Sequence, residues 1–266
     1  GRVKLPLGMA QVGKVFRNEI APRQTLIRLR EIMQMDCEIF FNPKKINDVE
    51  NFADVENYEL KLYLLKDKKV HSLSCKEAVS QNVVSGKLVA YYLARAQQFF
   101  LSLHIPLEKF RFRELEKDAR AFYAQETWDA EVETDIGWVE LAACNYRTDY
   151  DLNAHSNASK ADLQVREEGD AEKFFPHVFE LSMGVDRTFF VMLDLNLKKE
   201  QRGPEQRTIL TLPPRIAPYF AGIFPLMKKD GLYEKAEEVF GQLHALNIPV
   251  VFDAAGSIGK RYARMD

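Results

Sequence analysis

Two arginine-bearing stretches separated by a turn hold the densest chemistry in the sequence. Phe16-Arg17-Asn18-Glu19 is followed by Ala21-Pro22-Arg23-Gln24, a turn composition, and then by Leu26-Ile27-Arg28-Leu29-Arg30-Glu31-Ile32. A guanidinium is permanently charged and planar, and its fork can bond two phosphate oxygens at once. Glu19, two residues from Arg17, shares its face on an extended strand and can accept a hydrogen bond from an amino group. The first 31 residues carry Arg2, Lys4, Lys14, Arg17, Arg23, Arg28 and Arg30 against Glu19 and Glu31, an excess that suits a polyanion. The same pattern describes a cross-strand ladder of ion pairs on an exposed sheet, and the residues alone leave both readings open.

Three further stretches could do chemistry. Gly137-Trp138-Val139-Glu140-Leu141-Ala142 places one carboxylate in an apolar strand, with Arg147-Thr148-Asp149-Tyr150-Asp151-Leu152 close behind. Such a carboxylate is costly unless partnered, so Glu140 is either a structural ion pair, with Arg147 as the nearest cation, or part of a site. In Glu180-Leu181-Ser182-Met183-Gly184-Val185-Asp186-Arg187, a strand delivers Glu180 and Ser182 to one face. The helix opening at Gly184 offers free N–H groups and the positive end of its dipole, to which Arg187 adds a fixed cation. Ser182 as a helix cap explains the same residues without a ligand. Ala254-Ala255-Gly256-Ser257-Ile258-Gly259-Lys260-Arg261-Tyr262-Ala263-Arg264 hints at phosphate binding but does not satisfy the P-loop spacing.

The elements that must position these residues follow from periodicity. Alternation predicts strands over Val12–Ile20 and Leu26–Phe41, joined as an antiparallel hairpin with charges on one side. Lys76–Leu103 reads as one long helix weakened at Gly86. Strands are expected over Phe110–Leu115, Ala119–Thr134 and Gly137–Asn145, the last two joined by a tight turn at Asp135-Ile136-Gly137. A short helix over Asp149–Ser159, a strand over Phe174–Leu181 and an apolar helix from Gly184 to Leu195 complete the first part. Asn196–Glu205 is polar, holds Gly203-Pro204, and reads as a domain junction. Beyond it, a strand (Tyr219–Leu226), a helix (Tyr233–Leu246), a strand (Ile248–Phe252) and a helix from Gly256 alternate as in an α/β unit with parallel strands. No internal repeat or low-complexity tract is present.

Composition narrows the class. With 46% hydrophobic and 29% charged residues among 266, the chain is a globular protein of one large or two ordinary domains. A formal charge of −2 excludes a uniformly basic nucleic-acid coat while permitting a local patch. Cys37, Cys75 and Cys144 are widely spaced and odd in number, which points to neither a zinc site nor a disulfide framework and fits a reduced, cytoplasmic setting. No apolar run approaches the roughly 20 residues needed to cross a bilayer.

Phe16-Arg17-Asn18-Glu19 with its following loop and Arg-bearing strand resembles motif 2 of the class II aminoacyl-tRNA synthetases. The run Phe16–Arg23 and Ile27–Glu31, preceded by Leu5-Pro6 and Ala10-Gln11-Val12-Gly13, resembles the glycyl-tRNA synthetase family of archaeal, eukaryotic and dimeric bacterial type. Gly137-Trp138-Val139-Glu140, Trp128-Asp129-Ala130-Glu131 and the Arg147–Leu152 run match the same family, and Gly184–Arg187 resembles motif 3. Gly256–Arg264, and Pro218-Tyr219 to Pro225-Leu226, resemble its anticodon-binding domain. The likeness runs from Leu5 to Asp266 and is weakest over 43–74 and 160–175; a large insertion of some members would fall in the second of these gaps.

The resemblance implies an α+β fold: a class II antiparallel sheet flanked by helices over residues 1–202, then part of an α/β anticodon-binding domain over 203–266. It implies glycine–tRNA ligase activity, in which ATP activates glycine to glycyl-adenylate and the glycyl group passes to the 3′ end of tRNA(Gly). Arg17 would hold the α-phosphate and the glycine carboxylate, Glu19 would read adenine, and Arg28 and Arg187 would hold the tail of a bent ATP, with Arg17 and Arg187 catalytic. Asn18, Ile27, Leu29, Arg30, Glu31, Ile32, Leu141, Gly184, Val185 and Asp186 would complete the ATP site, and Glu140 would bind Mg2+. Asp36, Arg147, Glu180 and Ser182 would line the glycine pocket, and Lys260, Arg261 and Arg264 would meet tRNA. The family is a homodimer. It usually has Glu at the position of Asp36 and often Pro at that of Leu181. Its motif 1 and Thr-x-Glu loop would precede Gly1 and its anticodon-binding domain would continue past Asp266, so the sequence reads as part of a longer chain, incomplete for dimerisation, glycine binding and anticodon contact. Two other readings stay open: a non-catalytic synthetase-like accessory or RNA-binding protein, and a related class II synthetase for serine, proline or threonine.

Overall fold

The alternating sequence at the start folds as a hairpin. In the computed structural model, which describes residues 4–22, 26–168, 172–203 and 205–266, β1 (Leu7–Phe16) pairs antiparallel with β2 (Glu31–Phe41), Phe16 opposite Glu31. Both strands are shorter than expected toward the turn. Pro22 has no N–H to give a ladder, and the connecting segment closes on itself instead: Arg17 N–H donates to Arg30 O at 2.8 Å and Arg30 Nε to Glu19 O at 3.0 Å. Arg2, and Arg23 and Gln24 of the expected turn, lie outside the described residues.

The hairpin forms one edge of an eight-stranded sheet with the order β1-β2-β8-β7-β6-β5-β3-β4, where β3 is Glu59–Leu64, β4 Lys69–Ser74, β5 Phe110–Glu114, β6 Glu126–Thr134, β7 Gly137–Thr148 and β8 His177–Gly184. All neighbours are antiparallel except β3 and β5. The β6–β7 turn is the tight one expected, with Gly137 at φ 101° where a side chain would be strained. The Ala119–Thr134 strand shortens to β6, and Phe174–Leu181 shifts to His177–Gly184.

One face of the sheet is apolar. Leu60 and Leu62 of β3, Phe112 of β5, and Trp128, Ala130 and Val132 of β6 are essentially inaccessible. The expected long helix breaks into α1 (Cys75–Ser80) and α2 (Lys87–Ser102), whose Val89, Leu93 and Phe100 are also fully buried. Ser74, the last residue of β4, forms a capping box with Glu77 that starts α1 directly at Cys75. Gly86 sits at the N-cap of α2 because the backbone there passes close to Ile46. An added Cβ would lie 2.9 Å from Ile46 Cγ1 and 3.1 Å from Asn47 Oδ1, the atom that accepts from Lys87 N–H. Gly86→Ala is therefore expected to cost about 1–3 kcal/mol through overpacking, read as a lowered denaturant midpoint; an unchanged midpoint would contradict that packing.

The chain divides into two compact units, Gly1–Met192 and Leu193–Asp266. α3 (Tyr150–Ser159) belongs to the first, and α4 (Val185–Asn196) starts there directly after β8. In the second, the polar stretch read as a domain junction folds as a hairpin of β9 (Leu197–Arg202) and β10 (Glu205–Leu210), Lys199 opposite Thr208. An exposed two-stranded ribbon buries little on either face, so its composition resembles that of a linker. β11 (Ala221–Ile223) and β12 (Val250–Phe252) then pair in parallel across α5 (Leu232–Ala245), followed by α6 (Ile258–Met265).

Candidate active site

The polar face of the sheet, away from α1 and α2, carries the chemistry, and two bulges aim it. Between β6 and β7 the register steps from Ala130 opposite Ala142 to Glu131 opposite Glu140, so Leu141 is the extra residue. Between β7 and β8 it steps from Tyr146 opposite Phe179 to Thr148 opposite Val178, so Arg147 is extra. A bulge re-aims side chains locally. The first one brings Glu140 round to the cleft that Ala143 and Ser182 also line.

That cleft lies between the segment after β1, the start of β2, β7 and the start of α4. Arg17, Ile32, Glu140, Leu141, Ser182, Gly184, Asp186 and Arg187 line it. Arg187 is the organising cation. Its Nε donates to Ile27 O at 2.9 Å, its Nη1 to Glu140 O at 3.1 Å, and Glu140 Oε2 lies 3.5 Å from Nη1. Asp186 Oδ2 accepts from Met33 N–H at 2.7 Å and so fixes the start of α4 against β2. Arg28 does not line the cleft; its Nε donates to Glu19 Oε2 at 2.8 Å. Lys14 and Glu31 form a second exposed cross-strand pair at 2.6 Å. Asn18 and Arg30 are exposed beside them.

Further along the same face lies an acidic pocket with one cation. Asp36 is opposite Ser182 and Glu38 opposite Glu180 in the β2–β8 ladder. Arg147 Nη1 donates to Glu180 Oε1 at 2.5 Å and its Nε to Asp151 Oδ2 at 2.7 Å, while its guanidinium stacks 4.1 Å from the Tyr123 ring centre. Asn145 Nδ2 donates to Glu180 Oε2 at 3.0 Å. Arg147, the suggested partner of Glu140, thus pairs elsewhere. Burial, and then the charge of Glu180, push the Glu38 carboxyl above its ordinary range. Four carboxylates facing one guanidinium make a place for a further cation. Sequence reasoning missed Glu38 and Gln34; the alternation that put Asp36 on this face marks both.

Beside the cleft, Arg113 bridges Asp129 at 3.0 Å and Glu131 at 2.7 Å, and Arg111 stacks 3.7 Å from the Trp138 ring centre. Burial first, then the charge of Glu140, push Asp129 from 3.8 up to about 7, with Arg113 pulling the other way. A carboxyl whose folded pKa lies above its unfolded one stabilises the fold at low pH, and that contribution is lost as pH rises through the folded value. Stability is therefore expected to decline from about pH 3.8 to about pH 7 through this group. Asp129→Asn should flatten that slope in denaturation curves taken across the range; an unchanged slope would contradict it.

In the second unit, Arg261 is buried and fully committed: Nη2 donates to Ala254 O at 3.0 Å and Gly256 O at 2.8 Å, and Nη1 to Pro225 O. It clamps the loop before α6 rather than facing solvent. Arg264 is exposed but paired with Asp253, and Lys260 is exposed.

Residues 2–196 match the family model described as tRNA synthetase class II core domain (G, H, P, S and T). Across its whole length the chain is 33% identical, over 345 aligned positions, to a protein of Pyrococcus abyssi named Glycine--tRNA ligase. It is 31% identical over 340 positions to one of that name from Methanothrix thermoacetophila, and 32% over 345 to one from Pyrococcus furiosus. The alignments cover 60%, 59% and 60% of those relatives, so the chain spans about 60% of their length.

Proposed function

Since the chain belongs to the class II tRNA synthetase core family, we propose that the protein carrying it is a glycine–tRNA ligase that makes glycyl-adenylate from glycine and ATP and passes the glycyl group to the 3′ end of tRNA(Gly). The observation that carries the reading is the pairing of a small cleft that holds Arg17 and Arg187 with an acidic pocket a few residues along the same strands. A carboxylate oxygen of glycine attacks the α-phosphorus of ATP, the bond to the bridging oxygen breaks, and pyrophosphate leaves. Arg17 holds the α-phosphate and the attacking carboxylate together, and Arg187 takes the negative charge of the leaving group. Asp36, Glu38 and Glu180 hold the ammonium. Glycine has no side chain to grip, so charge and limited space must select it.

The cleft holds only about 50 Å³, room for a few waters. ATP therefore has to exchange the Arg187 contacts to Ile27 and Glu140, and the Arg28–Glu19 pair, for contacts to itself. Mg2+ fits this site in its usual nucleotide-bound manner, through one or two carboxylates plus phosphate oxygens. Glu140 is the carboxylate in place, and among the described residues no group of three or more His, Cys, Asp or Glu forms a cage. The ion supplies neutralisation of phosphate charge. Lys260, with Arg264, meets tRNA, and the working unit is a cytoplasmic homodimer. No described helix is long and apolar enough to cross a membrane.

Amino-acid-dependent exchange of pyrophosphate into ATP tests the reading on the protein carrying this chain. Glycine is expected to support exchange far above alanine, serine, threonine or proline. Preference for another amino acid would overturn the specificity, and ATP binding without any exchange would make the protein a non-catalytic relative.

A further inference from the structure

Gln34 reaches across the floor of the pocket. Its Nε2 donates to Asp36 Oδ1 and to Ser182 Oγ, both at 2.8 Å, which uses both hydrogens of the amide. It stands opposite Gly184 in the β2–β8 ladder, which has no side chain of its own, though the Arg187 stem passes 3.6 Å from where a Cβ there would sit. Its other neighbours in the cleft on that side, Ala143 and Ser182, are small as well. The Gln34 side chain is therefore what fills the room next to Asp36.

We propose that Gln34 is the positioning and specificity residue that makes this pocket accept glycine and reject larger amino acids; this rests on the ligase reading and deepens it. The amide fixes one oxygen of Asp36 and leaves the other for the substrate ammonium. Because Ser182 Oγ accepts from Gln34, its own O–H is free to donate toward the substrate. The Gln34 stem meanwhile occupies the volume that a Cβ substituent would need, in a cleft of about 50 Å³ that has little to spare.

The test is binding of the sulfamoyl analogues of glycyl- and alanyl-adenylate, read by calorimetry on the full protein carrying this chain, as wild type, Gln34→Ala and Gln34→Met. Wild type is expected to prefer the glycyl analogue on the order of 100-fold. Gln34→Ala should bring that ratio below about tenfold by admitting the alanyl analogue. Gln34→Met keeps the volume but loses the amide, so it should still exclude the alanyl analogue while binding the glycyl one roughly tenfold more weakly. The ratio cancels any general loss of affinity, which a merely structural role would produce. A Gln34→Ala ratio equal to that of wild type overturns this inference and leaves the ligase reading standing. Wild type that binds both analogues equally, or neither, overturns the reading and this inference with it.

Discussion

Replacing Arg187 by alanine is expected to weaken ATP binding by about 100-fold or more, the scale on which a preorganised cation on a phosphate acts. Arg187 bridges two sides of the cleft, meeting the loop carbonyl of Ile27 on one and both the backbone carbonyl and the carboxylate of Glu140 on the other. It projects from the first turn of α4, where the helix dipole also favours an anion. Arg187→Lys should recover little, because one ammonium cannot span two phosphate oxygens as a planar fork does. Calorimetric titration with ATP checks this directly. Affinity of Arg187→Ala within threefold of wild type would remove the residue from the nucleotide site.

The second large effect is on stability. Arg147→Met is expected to cost about 3–5 kcal/mol, the usual consequence of stranding one side of a partly buried ion pair. Glu180, Asp151, Glu38 and Asp36 would then face one another without a cation, and methionine replaces only the stem. Burial works against the Arg147 charge, yet the Asp151 hydrogen bond and the charges of Glu180 and Asp151 hold its pKa above the ordinary value. The loss should grow with pH. Glu38 already has its folded pKa raised, and without Arg147 it rises further, so stability falls as pH climbs through that value. Urea denaturation at pH 5 and pH 8 separates the outcomes. A cost below about 1 kcal/mol that is equal at both pH values would mean the pocket is solvated and the cluster energetically idle.

The hairpin around Arg17 and Arg28 was legible because strands advertise themselves by alternation and turns by proline. The α/β pattern of the second unit was legible for the same reason. What alternation cannot reveal is a bulge. Leu141 and Arg147 each add one residue against a neighbouring strand, so spacing does not reveal that Arg187, rather than Arg147 nearby in sequence, stands beside Glu140. The break at Gly86 was visible only as a weakness in a helical run; the close approach of Ile46 that makes it a boundary comes from residues forty positions earlier. β3 and β4 fall where the family resemblance is weakest, their alternation interrupted by the run Lys66-Asp67-Lys68-Lys69. Arg261 looked like a surface cation because sequence gives no sign of the four carbonyls, including Ala255 O at 3.4 Å, that surround it.

A crystal structure of the full protein carrying this chain, with the sulfamoyl analogue of glycyl-adenylate bound, tests the central geometry most directly. Arg17 is expected on the sulfamoyl group that stands for the α-phosphate, Arg187 lining the same cleft on the side where pyrophosphate would leave, and the glycyl ammonium between Asp36 and Glu180. An analogue bound elsewhere, or guanidinium groups of Arg17 and Arg187 directed to separate surfaces around it, would contradict the nucleotide site and the glycine assignment together.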